Sequence, residues 1–483
     1  MRVFVKNDEL SYVSAGVLCN SLRMDYYMNE KSAVRRKKQS LDSERKKKMK
    51  KRILAGALVL TMAATAVTGC GKRKSTTETT EWDVNQIEFK TGQQINTTEK
   101  IQLLVWESAE GPDEFIEKAG EYFTKLYPNI TIKYTNVEST DANSKIVMDG
   151  PGGHGPDLFA TAHNNCGVMA AGTHIEPIPE SEREILESSC TPAALQGATL
   201  NAKDGTSTLY GFPVSVETYA VFYNKALIKE EEVPKTMSEL VDYISNYKNG
   251  DVYPFLLDAG NAYYSVMFTS SPENKLYGPQ GSDITNTYMN TDTAVAQMAD
   301  FVALSKAIGM KSGDIDFKHN DSLFAAGKLV MDVSGAWNIK TFKEAGVDFG
   351  ITAIPSMTGS SQPPTNFMGV RCMYVSSYSK HKPEAIAFAE FLMTKEMQQL
   401  RCEITSTMPA RDDVLANINN DEIKEYMEGL NKQIAYSYPM PSMSQASLFW
   451  SAFGSAYSNI WNGEATDIQA ELNKADANAT KKD

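Results

Sequence analysis

The chain has 483 residues, with 48 basic and 60 acidic side chains and a net charge of −12. This length suits two or three domains with ample core. The charge is uneven: residues 1–69 carry +9 and the remainder −21. An acidic body argues against a nucleic-acid binder, which needs clustered Lys and Arg, and against adhesion to an anionic membrane through the body's own surface.

The basic excess reads as an address. Met49-Lys50-Lys51-Arg52 precedes an uncharged run from Ile53 to Thr68, which ends Val67-Thr68-Gly69-Cys70. A short positive segment, an apolar run and small residues before a cut form a secretory signal over 49–69. The last four residues resemble a bacterial lipobox, which implies cleavage before Cys70 and acylation of its thiol. Acyl chains would then hold a soluble body at the outer face of the cytoplasmic membrane. Residues 1–48 are expected to be an extension outside the fold, with Met49 as the start. Residues 70–100 are polar and read as the lipidated Cys followed by a disordered tether, with a reach of roughly 30 Å.

Besides Cys70 and Cys19, the cysteines are Cys166, Cys190, Cys372 and Cys402. They show no metal-ligand spacing and no C-x-x-C, so buried free thiols are expected, with a Cys372–Cys402 bridge as an alternative. No cofactor motif is present: no G-x-G-x-x-G follows the first strand and no P-loop occurs.

In the body, Ile101 to Trp106 reads as a strand. Pro112 opens a helix whose Phe115, Ile116, Ala119, Tyr122, Phe123 and Leu126 recur at helical spacing, and Tyr127-Pro128-Asn129 stops it. Ile130 to Tyr134 is a second strand, Thr140 to Met148 a helix-capable stretch, and Asp157 to Thr161 a third strand. This alternation predicts an α/β fold with a parallel sheet. Ligands of such sheets bind beyond the strands' carboxyl ends, which here carry Trp106, Glu107 and Glu110, then His163, Asn164 and Asn165. Each also has a bland reading: core packing for Trp106, dipole-complementing acids for Glu107 and Glu110, a structural hydrogen-bonded imidazole for His163. Further on, Tyr210–Val216 and Tyr219–Tyr223 read as two strands. Thr236 with Glu239 forms a capping box, Asp321 to Gly327 a short glycine-ended helix, and Leu329 to Val333 a strand. Helices dominate from Lys382.

Gly155-Pro156-Asp157-Leu158, Gly211-Phe212-Pro213 with Phe222-Tyr223-Asn224-Lys225, and the Phe324, Gly327, Met331, Gly335, Trp337 series resemble the extracellular solute-binding proteins of sugar ABC importers, maltose and maltodextrin receptors in particular. Pro441 followed by Trp450 strengthens that likeness, as does Glu217. The resemblance implies a two-lobed periplasmic-binding-protein-like fold with a hinge and an interlobe cleft. One lobe would hold 101–215 plus 372–409, the other 216–371 plus 410–483. It also implies a monomer that binds an oligosaccharide and docks permease subunits, without cofactor or metal.

By the same resemblance Trp337, Trp450 and Tyr263 would stack on sugar rings, and Glu217 and Glu110 would accept hydroxyl hydrogen bonds. Where maltose receptors place a charged pair this chain has Asn164-Asn165, and Thr161 and Gly111 stand where they place Trp and Lys, so contacts from the first lobe are expected to differ. The competing classes are a glycoside hydrolase using Glu107, Glu110 or Glu217 and a receptor for a metal or peptide.

Overall fold

The computed structural model describes residues 79–201 and 206–481. The expected extension, signal segment and Cys70 lie outside the described residues. From Thr79 onward the expected tether is instead a strap packed on the body. Thr80 donates from its amide and hydroxyl to the Glu403 carboxylate at 2.7 and 2.9 Å. The Thr91 hydroxyl donates to Glu390 at 2.6 Å, and the Asn96 amide to Glu384 at 2.7 Å. Ile87 is buried, and the Phe89 ring packs against Phe123, Tyr127 and Phe391. Isolated apolar residues in a polar stretch have no periodicity to read, yet both join the core.

The strands are β1 (Ile101–Glu107), β2 (Ile130–Asn136), β3 (Leu158–Ala162), β4 (Thr199–Asn201), β5 (Ser207–Leu209), β6 (Gly211–Asn224), β7 (Tyr253–Leu256), β8 (Leu329–Gly335), β9 (Phe349–Thr352), β10 (Asn366–Val375) and β11 (Ser437–Pro439). Apart from the β4–β5 hairpin they form one sheet in the order β2-β1-β3-β10-β6-β8-β7, with β9 beside β6 and β11 beside β10. The βαβ units β1–β2 and β1–β3 are parallel, as predicted. β10, however, runs antiparallel to both β3 and β6, so the sheet is mixed. The helix Pro112–Leu126 forms where the apolar stripe places it, with Pro at its first turn and Phe115, Ile116, Ala119 and Phe123 inward. Thr236 and Glu239 cap the helix Met237–Asn246 reciprocally.

The two strands expected at 210–216 and 219–223 are one 14-residue strand, β6. Pro213 cannot donate to the ladder and is tolerated at an irregularity. There the register jumps from Arg371↔Ser215 to Cys372↔Pro213, leaving Val214 as the extra residue of a β-bulge. The first half of β6 pairs with β10 and its second half with β8 and β9, so β6 joins the two halves of the sheet. Its pleat sends Ala220 and Phe222 into one apolar core, and Tyr219, Val221 and Tyr223 into the other. Cys166, Cys190, Cys372 and Cys402 are all free.

Candidate functional site

Three half-buried aromatic rings form a chain of contacts that includes the fully buried Phe367 of β10. Tyr263 stacks on Phe367 with centroids 6.2 Å apart, Trp450 meets it edge-on at 5.8 Å, and Trp337 lies 6.4 Å from Tyr263. Each comes from a different element. Trp337 follows β8, Tyr263 sits in the short helix Ala262–Ser265 capped by Asn261, and Trp450 is in the helix Ser447–Trp461. Gly335 is required beneath Trp337, because a Cβ there would overlap the indole ring.

Glu217 borders this aromatic group. Burial first, and then the Glu217 charge, push the Tyr263 phenol well above its ordinary value. Glu217 accepts a hydrogen bond from the Ser215 hydroxyl at 3.1 Å and lies 3.9 Å from Nη1 of Arg371. Arg371 in turn grips Glu107: its Nε and Nη2 reach Glu107 Oε1 at 3.1 and 2.5 Å, and Nη2 also reaches the Ser108 hydroxyl at 2.7 Å. Burial pulls the Arg371 guanidinium down, but Glu107 and Glu217 outweigh it and hold the group charged. Beyond Glu107 lies Arg401, 3.6 Å from Oε2 and over the face of Phe115. Four alternating charges thus run from the aromatic group into the first half of the sheet. Removing one partner from so buried a set costs about 3–5 kcal/mol, because a charge is left without compensation.

The expected site residues do not all meet. Trp337, Trp450, Tyr263 and Glu217 come together. Trp106 and His163 do not present themselves to this group. Trp106 is buried in the core with its ring edge-on to Phe159. His163 has both nitrogens occupied: the Val370 amide donates to Nδ1 at 3.0 Å, and Nε2 lies 2.8 Å from the Met440 carbonyl. Burial lowers its imidazole to about 4. Its ring therefore pins β10 to the segment before the helix Ser447–Trp461 and has no nitrogen left for a ligand. Asn164 and Asn165 are half-buried at the end of β3, where Asn165 donates to the Thr161 hydroxyl at 2.9 Å.

Glu110 is exposed, in a left-handed backbone conformation with φ 64°. Its carboxylate accepts a hydrogen bond from Thr341 at 3.1 Å, and nearby Glu114 lies 3.5 Å from Lys340. These contacts join the helix Pro112–Leu126 to the helix Ile339–Glu344 across the two halves of the sheet. Arg371, Arg401 and Lys340 were not expected from the sequence. The signal available for Arg371 was a lone Arg inside the apolar stretch Met368–Val375; Arg401 had none. Among the described residues no group of three or more His, Cys, Asp or Glu is placed to hold a metal. No described helix is long and apolar enough to cross a membrane.

With this geometry in hand, the class of protein is defined: residues 118–429 match the family of bacterial extracellular solute-binding proteins, and the chain belongs to it. It is 28% identical over 375 residues to a galactooligosaccharide-binding protein of Bacillus subtilis, covering 76% of this chain and 86% of that one. A maltotriose-binding protein of Pyrococcus abyssi is 25% identical over 392 residues, covering 77% and 80%. Among solved structures, a cyclo/maltodextrin-binding protein complexed with maltotetraose superposes with a TM-score of 0.65 at 26% identity, covering 77% of this chain and 95% of that one. The fold is the two-lobed α/β architecture of these proteins, with a mixed sheet.

Proposed function

We propose that this protein is a lipid-anchored extracellular receptor that captures an oligosaccharide between its lobes and delivers it to the permease of an ABC importer. The observation that carries the reading is the aromatic series Trp337–Tyr263–Phe367–Trp450 beside Glu217. Axial C–H faces of pyranose rings pack on aromatic planes, and a carboxylate accepts their hydroxyls through charge-assisted bonds. The lobes are assigned as 101–215 plus 372–409 and 216–371 plus 410–483. Support comes from β6 and β10, which pass between the halves of the sheet close to those boundaries. Cys70 is the assigned site of lipidation.

The ligand is assigned as a maltodextrin, on the resemblance of the aromatic and acidic positions. A galactooligosaccharide is the second reading, favoured by the Bacillus relative and by Asn164-Asn165 at the end of β3. Calorimetry on Cys70→Ser protein with maltotriose and with galactotriose decides between them. Heat with maltotriose alone supports the first, heat with galactotriose alone the second, and heat with neither removes the oligosaccharide assignment. Catalysis is not part of this reading. Glu107 is clasped by Arg371 and flanked by Arg401, and Glu110 is engaged by Thr341, so neither of these acids is a free carboxyl to oppose Glu217 in glycoside hydrolysis. Either oligosaccharide should be recovered intact after prolonged incubation.

A further inference from the structure

The charge series at the edge of the aromatic group is set by strand register. Arg371 stands opposite Ser215 on β6, and Glu217 stands opposite Gly369, so Arg371 and Glu217 are diagonal neighbours on one face. Diagonal positions are roughly 7–8 Å apart, within reach of a long side chain. On its other side Arg371 stands opposite Ala162 of β3. β1 is aligned so that Trp106 faces Phe159, which puts Glu107 one residue further along, level with Ala160. Ala160 and Ala162 share the face of Arg371 and are small, so the guanidinium passes over β3 and reaches Glu107 two strands away. The bulge at Val214, enforced by Pro213, sits immediately beside this pairing, the kind of irregularity that re-aims a side chain.

The arrangement has an unusual cost. Arg401 is buried with Nε, Nη1 and Nη2 all lacking a hydrogen-bond partner, and Oε2 of Glu107 lacks one too. A set built for stability alone would satisfy these groups, since apolar residues of the same volume serve as well or better. What the set does bring is a compensating charge to Glu217, 3.9 Å from the Arg371 guanidinium.

We propose that Arg371 is a positioning residue for sugar capture: held by Glu107, it fixes the Glu217 carboxylate against the aromatic group, so that this acid is oriented before ligand arrives. The proposal rests on the oligosaccharide reading above and adds to it a residue that acts through Glu217. A pre-oriented acceptor loses less rotamer freedom on binding, so releasing Glu217 should weaken affinity through Glu217 and by no other route.

The test is a double-mutant cycle between Arg371→Met and Glu217→Gln, read as Kd by calorimetry with maltotriose and with galactotriose. R371M should weaken binding about tenfold or more when Glu217 is present, and less than about twofold in the E217Q background. Equal losses in the two backgrounds, or no loss in either, would overturn it. Because R371M leaves Glu107 exposed to a large folding penalty, R371K provides a second variant. A single ammonium lacks the fork that serves Glu107 and Glu217 together, so it should weaken binding in the same direction. Ligand-free crystal structures of wild type and R371K separate this proposal from the sugar reading. If neither sugar binds wild type, the sugar reading fails, while a displaced Glu217 side chain in R371K still supports positioning. An unmoved Glu217 refutes positioning, whatever the sugars do.

Discussion

Lowering the pH should unpin β10 through His163. The Val370 N–H can only donate, so Nδ1 must be bare and the proton must sit on Nε2, facing the Met440 carbonyl. The imidazole is therefore neutral in the folded protein, and burial takes its pKa from 6.5 to about 4. In the unfolded chain it protonates near the ordinary value. Between those two values the unfolded state binds a proton that the folded state refuses. The stability due to this residue is complete above pH 6.5 and is lost as the pH falls toward 4. At about 1.4 kcal/mol per unit, the whole interval is worth about 3 kcal/mol, and the fall to pH 5 about 2 kcal/mol. The direct assay is an NMR titration of the five imidazoles, with the His163 resonance identified by its absence in His163→Gln. It should titrate near 4. A second reading comes from denaturant unfolding at pH 7.5 and 5.0, a range in which most carboxylates stay ionised. Wild type should lose about 2 kcal/mol more than H163Q over that interval. An imidazole titrating at 6 or above, or equal losses in the two proteins, would refute the account of His163 as a neutral pin.

Three further outcomes are expected. Trp337→Ala should weaken sugar binding by about 2 kcal/mol with little change in melting temperature; unchanged calorimetric affinity would reassign the ring to packing. Asp332 is buried beside Asp321, and burial first, then the neighbouring charge, raise its carboxyl well above the usual range. Because the folded state holds this proton more tightly, Asp332 costs stability as pH rises past the ordinary carboxyl value. Asp332→Asn should therefore raise the melting temperature more at pH 7.5 than at pH 4.5, and an equal shift at both would count against a buried, raised acid. Glu114→Gln removes the charge facing Lys340 between the helices that join the two halves. Stopped-flow release of bound sugar should quicken by a fewfold, and high salt, which screens the pair, should quicken release in wild type as well.

The parts of the fold legible in the sequence are those whose pattern is local. The helix Pro112–Leu126 and the capped helix Met237–Asn246 each carry a stripe or a capping box within a dozen residues. β10 carried no such signal: all ten of its residues are buried, so neither face alternates with solvent and periodicity has nothing to detect. β6 was split in two because Pro213 argues against an interior strand until the bulge is known. In the site, the aromatic positions and Glu217 were legible through ordered family motifs. The Glu107–Arg371 pair joins residues 264 apart in sequence, and only the strand order brings them to one face. His163 stood at the expected strand end, but the partners that claim its nitrogens, Val370 and Met440, lie more than 200 residues away.

The place of β10 in the sheet also sets a timetable. It lies between β3 and β6, yet it begins at residue 366, about two hundred residues after β3 ends. At about 5–20 residues per second, synthesis leaves one edge of β3 without its partner for about 10–40 seconds, and the facing edge of β6 waits for the same strand. Open edges of apolar strands invite pairing with other chains. Any fragment ending before residue 366 keeps both edges bare, so shortened versions of this protein should aggregate. A chain that completes its central sheet so late cannot close its core until most of its residues have been made.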